Sequence, residues 1–238
     1  MTTTPTAVII GVGPGLGMSM ARRFGREGFR VALLSRSSAR HDDYLKDLAA
    51  QDIDATAYVA DVTDRTRLRS VLDEIARAGE VELAYYGPGP QQHPVPITEM
   101  DFTTAQSAFE WVWPAVDAVQ AVLPAMLERS SGALLFAGGL SSVRPMPMLG
   151  QLALPSAALR NYAITLNAAL AERGVYAGTL TIGGLVERGD IHAMVTADPA
   201  RFGSVEGHTL DPDRLADAAW DMYRARDRAE EVFDMLGG

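Results

Sequence analysis

Near the start of the chain four glycines stand within seven residues, Gly11-Val12-Gly13-Pro14-Gly15-Leu16-Gly17. They follow a short apolar run, Ala7-Val8-Ile9-Ile10, and precede an amphipathic stretch that begins at Leu16. Between a strand and a helix, uncovered backbone N–H groups with the helix dipole behind them make an anion site. Glycine is needed there because a Cβ would block the approach of a pyrophosphate. The context points to dinucleotide binding through Gly11, Gly13, Gly15, Leu16 and Gly17; a merely tight strand–helix turn is the plain alternative. Other chemistries lack their residues. The absence of cysteine excludes disulfides, thiolate metal sites and a Cys nucleophile. His192 and His208 have no partner at metal-ligand spacing, and there is no HExxH, paired-carboxylate or Ser-His-Asp signature. No metal site is predicted.

The glycine string needs a sheet to carry it. Besides Ala7–Ile10, the runs Phe29–Leu34, Ala55–Val59, Val81–Tyr85, Leu134–Ala137 and Val175–Ile182 read as buried strands, with a last one at Val232-Phe233. Helical patterns alternate with them. Leu16–Glu27 has Arg22, Arg23 and Arg26 as its wet face, and His41–Gln51 follows. Asp64–Ala78 places Leu68, Val71, Leu72 and Ile75 at i, i+3, i+4 and i+7. A long helix is predicted over Thr98–Leu127, bent at Pro114. Leu159, Tyr162, Ala163, Leu166 and Leu170 form the stripe of another, and Asp211–Arg226 is a capped one. This alternation predicts an α/β fold: a single doubly wound, Rossmann-like parallel sheet with helices on both faces, one domain over residues 1–238.

The chain carries 21 basic and 30 acidic residues in 238, a net charge of −9. That balance argues against nucleic acid and anionic membranes as partners. Hydrophobic residues at 47% and charged ones at 21% are globular values. No apolar run has the length of a membrane span, and Met1–Thr6 lacks secretory features, so a cytoplasmic protein is expected. Lys46 is the only lysine.

The spacing Gly11-x-x-x-Gly15-x-Gly17 resembles the short-chain dehydrogenase/reductase family, and the likeness runs over essentially the whole chain. Asp61-Val62 looks like the family's aspartate at the adenine ring. Gly87, in Tyr85-Tyr86-Gly87-Pro88, stands where the family usually reads Asn-Asn-Ala-Gly. Pro124-Ala125-Met126 with Gly132-Ala133-Leu134-Leu135, and Ala157-Ala158-Leu159, are similar to further family text. Ile182-Gly183-Gly184-Leu185-Val186 resembles the family's Pro-Gly segment beside the nicotinamide. The resemblance implies an oxidoreductase with a small-molecule substrate and a variable substrate lid at about 184–210. It also implies a homodimer or homotetramer; the apolar stripe Leu159–Leu170, with the long helix before it, resembles the faces that dimerise in the family, and simple packing on the sheet is the plain alternative. In Ser35-Arg36-Ser37, after the second strand, an arginine and two hydroxyls stand ready for a ribose 2′-phosphate. No acid that would favour a 2′-hydroxyl appears until Asp42, so NADP(H) is predicted over NAD(H). The plainer reading is a surface arginine at a strand end.

The family's chemistry uses a tyrosine, a lysine four residues later, a serine and an asparagine. A phenol of pKa about 10 is a poor base at neutral pH without a neighbouring cation. Alignment on Ala157-Ala158-Leu159 puts Ser156 at the lysine position and Leu152 at the tyrosine position. Gly139 falls at the serine position, and Trp111 at or beside the asparagine. None of the seven tyrosines has a lysine or an arginine four residues later. The missing arginine also separates the chain from halohydrin dehalogenases, relatives that keep a Ser-Tyr-Arg set. The chain therefore reads as a divergent member without the usual Asn-Ser-Tyr-Lys set. Substitute groups are Tyr85, Tyr86, Ser141, Ser142, His93 and Gln151, each with a blander reading as a packing, turn or loop residue. Trp111 and Trp113 read as core packing, with the lining of an apolar cleft as the alternative. Three functions stay open. One is an NADP(H)-dependent oxidoreductase with an atypical active site. The second is a catalytically inactive cofactor-binding protein, either a sensor or a partner subunit. The third is a non-redox enzyme that uses the substrate cleft.

Overall fold

A computed structural model describes residues 4–89, 94–198, 200 and 206–237. His93 lies outside them, as does part of the 184–210 segment. At the centre is β1 (Thr6–Ile10), buried along its whole length. It lies between β2 (Arg30–Ser35) and β4 (Val81–Tyr86). Beyond β2 comes β3 (Ala55–Val59); beyond β4 come β5 (Gly132–Gly139), β6 (Val175–Gly183) and β9 (Glu230–Asp234). All pairings in this seven-stranded sheet are parallel.

Alternation along each strand feeds two cores. Ala7, Ile9, Leu83 and Tyr85 pack with α1 (Leu16–Arg26), α2 (His41–Ala49) and α8 (Pro212–Ala225). Val8, Ile10, Ala84 and Tyr86 pack on the other face with α3 (Arg65–Ala78), α5 (Trp113–Arg129) and α6 (Gly150–Leu170). The predicted stripe of α3 is buried, and Asp64 caps that helix by accepting from Arg67 N at 3.0 Å. Asp211 caps α8 in the same way, with Pro212 in the first turn.

The helix predicted over Thr98–Leu127 is broken instead. A 3-10 turn at Ile97–Glu99 leads to the short α4 (Phe102–Ser107), where the Asp101 side chain accepts from Thr104 N at 2.7 Å. Turns then carry the chain past Trp111 to α5. Pro114 bends nothing: it sits in the first turn of α5, where a missing N–H has no helical partner to lose. Two further pieces escape the hydropathy pattern because they are short: a two-strand ribbon of β7 (Leu185–Val186) and β8 (Thr209–Leu210), and α7 (Asp190–Ala197).

Winding starts outward from β1 toward β3 and from β4 toward β9. The carboxyl ends of β1 and β4 therefore lead away from each other, and such a switch point leaves a crevice.

Candidate functional site

A cleft of about 790 Å³ opens at this switch point. Its walls are the loops that leave four strands: Gly11–Gly13 after β1, Ser35–Ser37 after β2, Ala60–Thr63 after β3 and Gly87–Gly89 after β4. Trp111 closes one end, and Arg40, Tyr44 and Asp190 stand along the rim.

The glycines of the loop do different work. Gly11 has φ +83°, a left-handed conformation, and a Cβ there would lie 2.7 Å from Pro88 N. Gly17 lets α1 start against the loop, since a Cβ would meet Val12 Cα at 2.8 Å. Gly13 faces open space, so its missing side chain is room for a ligand. Gly15 differs from the expectation. A Cβ there would meet Gly189 N at 3.0 Å and Glu187 O at 3.1 Å. The close approach at Gly15 is made by the segment after β6, and Gly15, Leu16 and Gly17 are buried beneath or behind the loop.

Around the cleft the polar groups are held differently. Arg36 is exposed and makes no ion pair among the described residues. Asp61 Oδ1 accepts from Thr63 N at 2.9 Å and from Thr63 Oγ1 at 2.8 Å. Those bonds, with the Arg36 charge, hold its carboxyl below the usual carboxylate range. The Ser35 hydroxyl is engaged within the loop, donating to Ser37 O at 2.9 Å and meeting His41 Nε2 at 2.7 Å. Because Ser35 has one proton to give, the His41 ring must donate Nε2–H to it. Burial lowers the His41 pKa, in keeping with a neutral ring. Ser35 thus shapes the loop, while Arg36 is the side chain open to a ligand.

The segment after β6 is pinned at two points beside the glycine loop. Arg188, at φ +64°, reaches Asp213 Oδ2 at 2.7 Å, Asp211 Oδ1 at 3.3 Å and Ser19 Oγ at 3.3 Å. Two residues on, Asp190 takes both nitrogens of the Arg40 fork, at 2.8 and 2.9 Å.

Toward β5 and α6 the picture changes. Tyr85 and Tyr86 do not present their phenols at the strand edge. Each is 2% exposed, they point to opposite faces, and burial drives both pKa values far up. The Tyr86 hydroxyl donates to Trp111 O at 2.5 Å, so Tyr86 ties the chain between α4 and α5 to the sheet. Trp111 is 8% exposed and its Nε1 is buried without a partner among the described residues. Trp113 is an exposed residue stacked on Phe109 at 5.1 Å, not core. Gln151 is buried, and its Oε1 accepts from Val95 N at 2.9 Å, clamping the loop before α4. Ser141 and Ser156 converge on Gly139: an ideal Cβ at Gly139 would lie 3.5 Å from Ser141 Oγ and 3.6 Å from Ser156 Oγ. The Ser141 and Ser142 hydroxyls are buried without partners among the described residues. Leu152 is half-buried in the first turn of α6.

Residues 5–192 match the family model described as short chain dehydrogenase. The chain belongs to the short-chain dehydrogenase/reductase family. Among members of the family, the chain is 26% identical to the uncharacterized oxidoreductase UxuB of Bacillus subtilis (strain 168), over 81% of this chain and 75% of that protein. A metagenomic short-chain oxidoreductase solved in complex with NADP superposes with a TM-score of 0.79 at 17% identity, covering 98% of this chain and 97% of that one. A gluconate 5-dehydrogenase, putative in its description, from Beutenbergia cavernae with bound NADP gives 0.84 at 21% identity, covering 98% and 95%. Curated relatives of this short-chain dehydrogenase/reductase are oxidoreductases. Among the described residues no helix is long and apolar enough to cross a membrane.

Reading the sequence as a short-chain dehydrogenase/reductase missed Arg40, Tyr44, Arg188 and Asp190. Arg40 and Asp190 are 150 positions apart, and no local spacing announces a pair made only by the fold.

Proposed function

We propose that this short-chain dehydrogenase/reductase binds NADP(H) in preference to NAD(H) and acts as an oxidoreductase with an atypical active site. The observation that carries the reading is the cleft at the β1/β4 switch point. Gly13 faces its open space, Arg36 lines it with no ion-pair partner among the described residues, and the Asp61 carboxylate lines the same cleft within reach of the Arg36 charge. These residues fit the adenosine end of such a cofactor. Arg36 would hold the 2′-phosphate, Asp61 the adenine amine, and the Gly11–Gly13 amides with Val62 and Gly87 would line the path between. When bound, the cofactor supplies the hydride. The chain's own contribution at the reacting end is positioning, with Ser141 as the hydroxyl nearest the lost serine. The usual phenol and its ammonium partner are absent, and loss of acid–base assistance costs about 10² to 10⁴ in rate. In this reading residues 1–238 form one domain, residues of about 184–210 are the substrate lid, and the protein is a cytoplasmic homodimer or homotetramer acting on a small molecule.

Titration calorimetry with NADPH and NADH tests the reading. Micromolar NADPH binding with NADH at least tenfold weaker supports it, and Arg36→Ala should then remove most of that difference. Binding of neither nucleotide would sink it.

A second reading draws on the buried hydroxyls. Ser156 sits inside the fold at the lysine position, and the Tyr86 phenol is tied to Trp111. That arrangement favours a cofactor-binding sensor or partner subunit without turnover. Single-turnover oxidation of bound NADPH by a panel of aldehydes, ketones and enones separates the two, since the sensor gives none.

A further inference from the structure

Arg40 and Asp190 face each other over the rim of the cleft, one in the loop before α2 and the other at the start of α7. Their contact has both parallel N–H···O bonds of the guanidinium–carboxylate fork, yet both side chains are more than half exposed, at 52% and 62%. The geometry is specific and the strength is small, because water screens an exposed pair. Such a contact yields to a stronger anion. Three observations point to where that anion would come. Arg36 lies on the same loop without an ion-pair partner among the described residues. The Tyr44 hydroxyl is buried against the Arg40 guanidinium without a well-formed hydrogen bond among the described residues. Asp190 itself lines the same cleft, so its negative charge opposes any phosphate seated between the two arginines. At the far side of the glycine loop, Arg188 anchors the base of the segment to Asp211 and Asp213. The Arg40–Asp190 contact thus fastens the start of α7, two residues after the Arg188 anchor.

We propose that the Arg40–Asp190 ion pair is a latch opened by a 2′-phosphate: a ribose phosphomonoester takes Arg40 from Asp190, pairs with Arg36 and Arg40 together, and frees α7. A nucleotide without that phosphate leaves the latch closed. The latch rests on the NADP(H) reading and deepens it: the phosphate is read twice, by affinity and by the state of the segment over the cleft.

The probes are 2′,5′-ADP and 5′-AMP, which differ in the 2′-phosphate and need neither the nicotinamide nor the pyrophosphate positions. Affinity is read by calorimetry, and backbone amide exchange is followed over Asp190–Ala197. Asp190→Asn should tighten 2′,5′-ADP about fivefold and leave 5′-AMP within twofold. Saturating 2′,5′-ADP should speed exchange in α7 of the unmodified protein, whereas 5′-AMP should not. Asp190→Asn also weakens the helix-dipole interaction of α7, so Arg40→Gln is the control. It leaves α7 untouched, should speed α7 exchange without any ligand, and should bring 2′,5′-ADP affinity toward that of 5′-AMP. Unchanged or weaker 2′,5′-ADP binding in Asp190→Asn, or slower α7 exchange on adding 2′,5′-ADP, overturns the latch while leaving the cofactor reading intact. Equal wild-type affinity for the two probes, or none for either, overturns the preference for a 2′-phosphate and the latch with it.

Discussion

The two ends of the same sheet edge have been treated unlike each other. On the β1–β3 side, the cleft groups are open or exchangeable: Gly13 faces space, Arg36 has no ion-pair partner among the described residues, and Arg40 is held by an exposed partner. On the β5–α6 side the polar groups have been taken inside. The Tyr86 phenol is bonded to Trp111 O, Ser156 is 2% exposed, and the Ser141 and Ser142 hydroxyls have no partner among the described residues. Yet the backbone runs on undisturbed, with β5 and β6 paired from Gly132 to Gly139. Strand and helix packing maintain the frame, and the frame does not depend on which side chain stands at Gly139, Leu152 or Ser156.

The largest effects should come from breaking the open side. A Cβ at Gly13 would meet nothing within 4 Å, so Gly13→Val places a branched side chain in the cleft. It should lower NADPH affinity at least about 100-fold by calorimetry while moving the melting temperature by no more than about 2 °C. Gly11→Val adds strain of about 1–2 kcal/mol from its positive φ, besides the clash with Pro88. It should lose stability as well as binding, seen as a fall in melting temperature of at least about 5 °C. If Gly13→Val kept its affinity, the open side would not be the ligand side.

An intermediate effect tests whether the closed side lacks only its groups. The Cβ distances at Gly139 are ordinary contacts, so Gly139→Ser should fold unchanged. Combined with Leu152→Tyr and Ser156→Lys, it should raise NADPH-dependent reduction of a simple ketone by about 10². A triple variant that folds and binds NADPH but is no faster would show that the substrate side has been reshaped, not merely stripped.

Smaller effects distinguish packing from chemistry. Tyr86→Phe leaves a buried carbonyl at Trp111 without its donor, a loss of about 1–2 kcal/mol, or about 3 °C in melting temperature. NADPH affinity should stay within twofold, because the phenol serves the fold. Away from both sides, Arg65 binds Asp117 with two hydrogen bonds, at 2.6 and 2.8 Å. Those bonds, then the charges of Arg65 and Arg69, hold the Asp117 pKa below its ordinary 3.8. Stabilisation by this carboxylate is therefore present above pH 3.8 and is lost as pH falls through the lower folded value. Asp117→Asn should be less stable than the unmodified protein at neutral pH. The difference in urea midpoint should shrink toward zero below pH 3.8.

Much of the frame is readable along the chain because it is local. The period of α3 and the runs of β1, β2 and β3 are each contained in a single window of sequence, and the glycine string lies at their junction. What resists reading is what the fold alone creates. Tyr85 and Tyr86 look like strand-end phenols until alternation sends them to opposite faces of a sheet buried on both sides. Pro114 looks like a bend because the apolar pattern does not show that the helix Asp101 starts has already ended at Ser107. Gly15 looks like room for a ligand, whereas the room is taken by backbone from residues 187–189. Arg40 and Asp190 are unremarkable surface charges until the segment after β6 crosses the cleft.

Lys46 lies exposed on α2, the helix that starts one residue after Arg40. Amine-directed reagents therefore have a single side-chain address on this molecule, on the flank of the cleft. A dye or a surface tether attached there would hold or report every copy from the same direction. The cleft arginines Arg36 and Arg40 would remain unmodified, because guanidinium groups do not react as amines under those conditions.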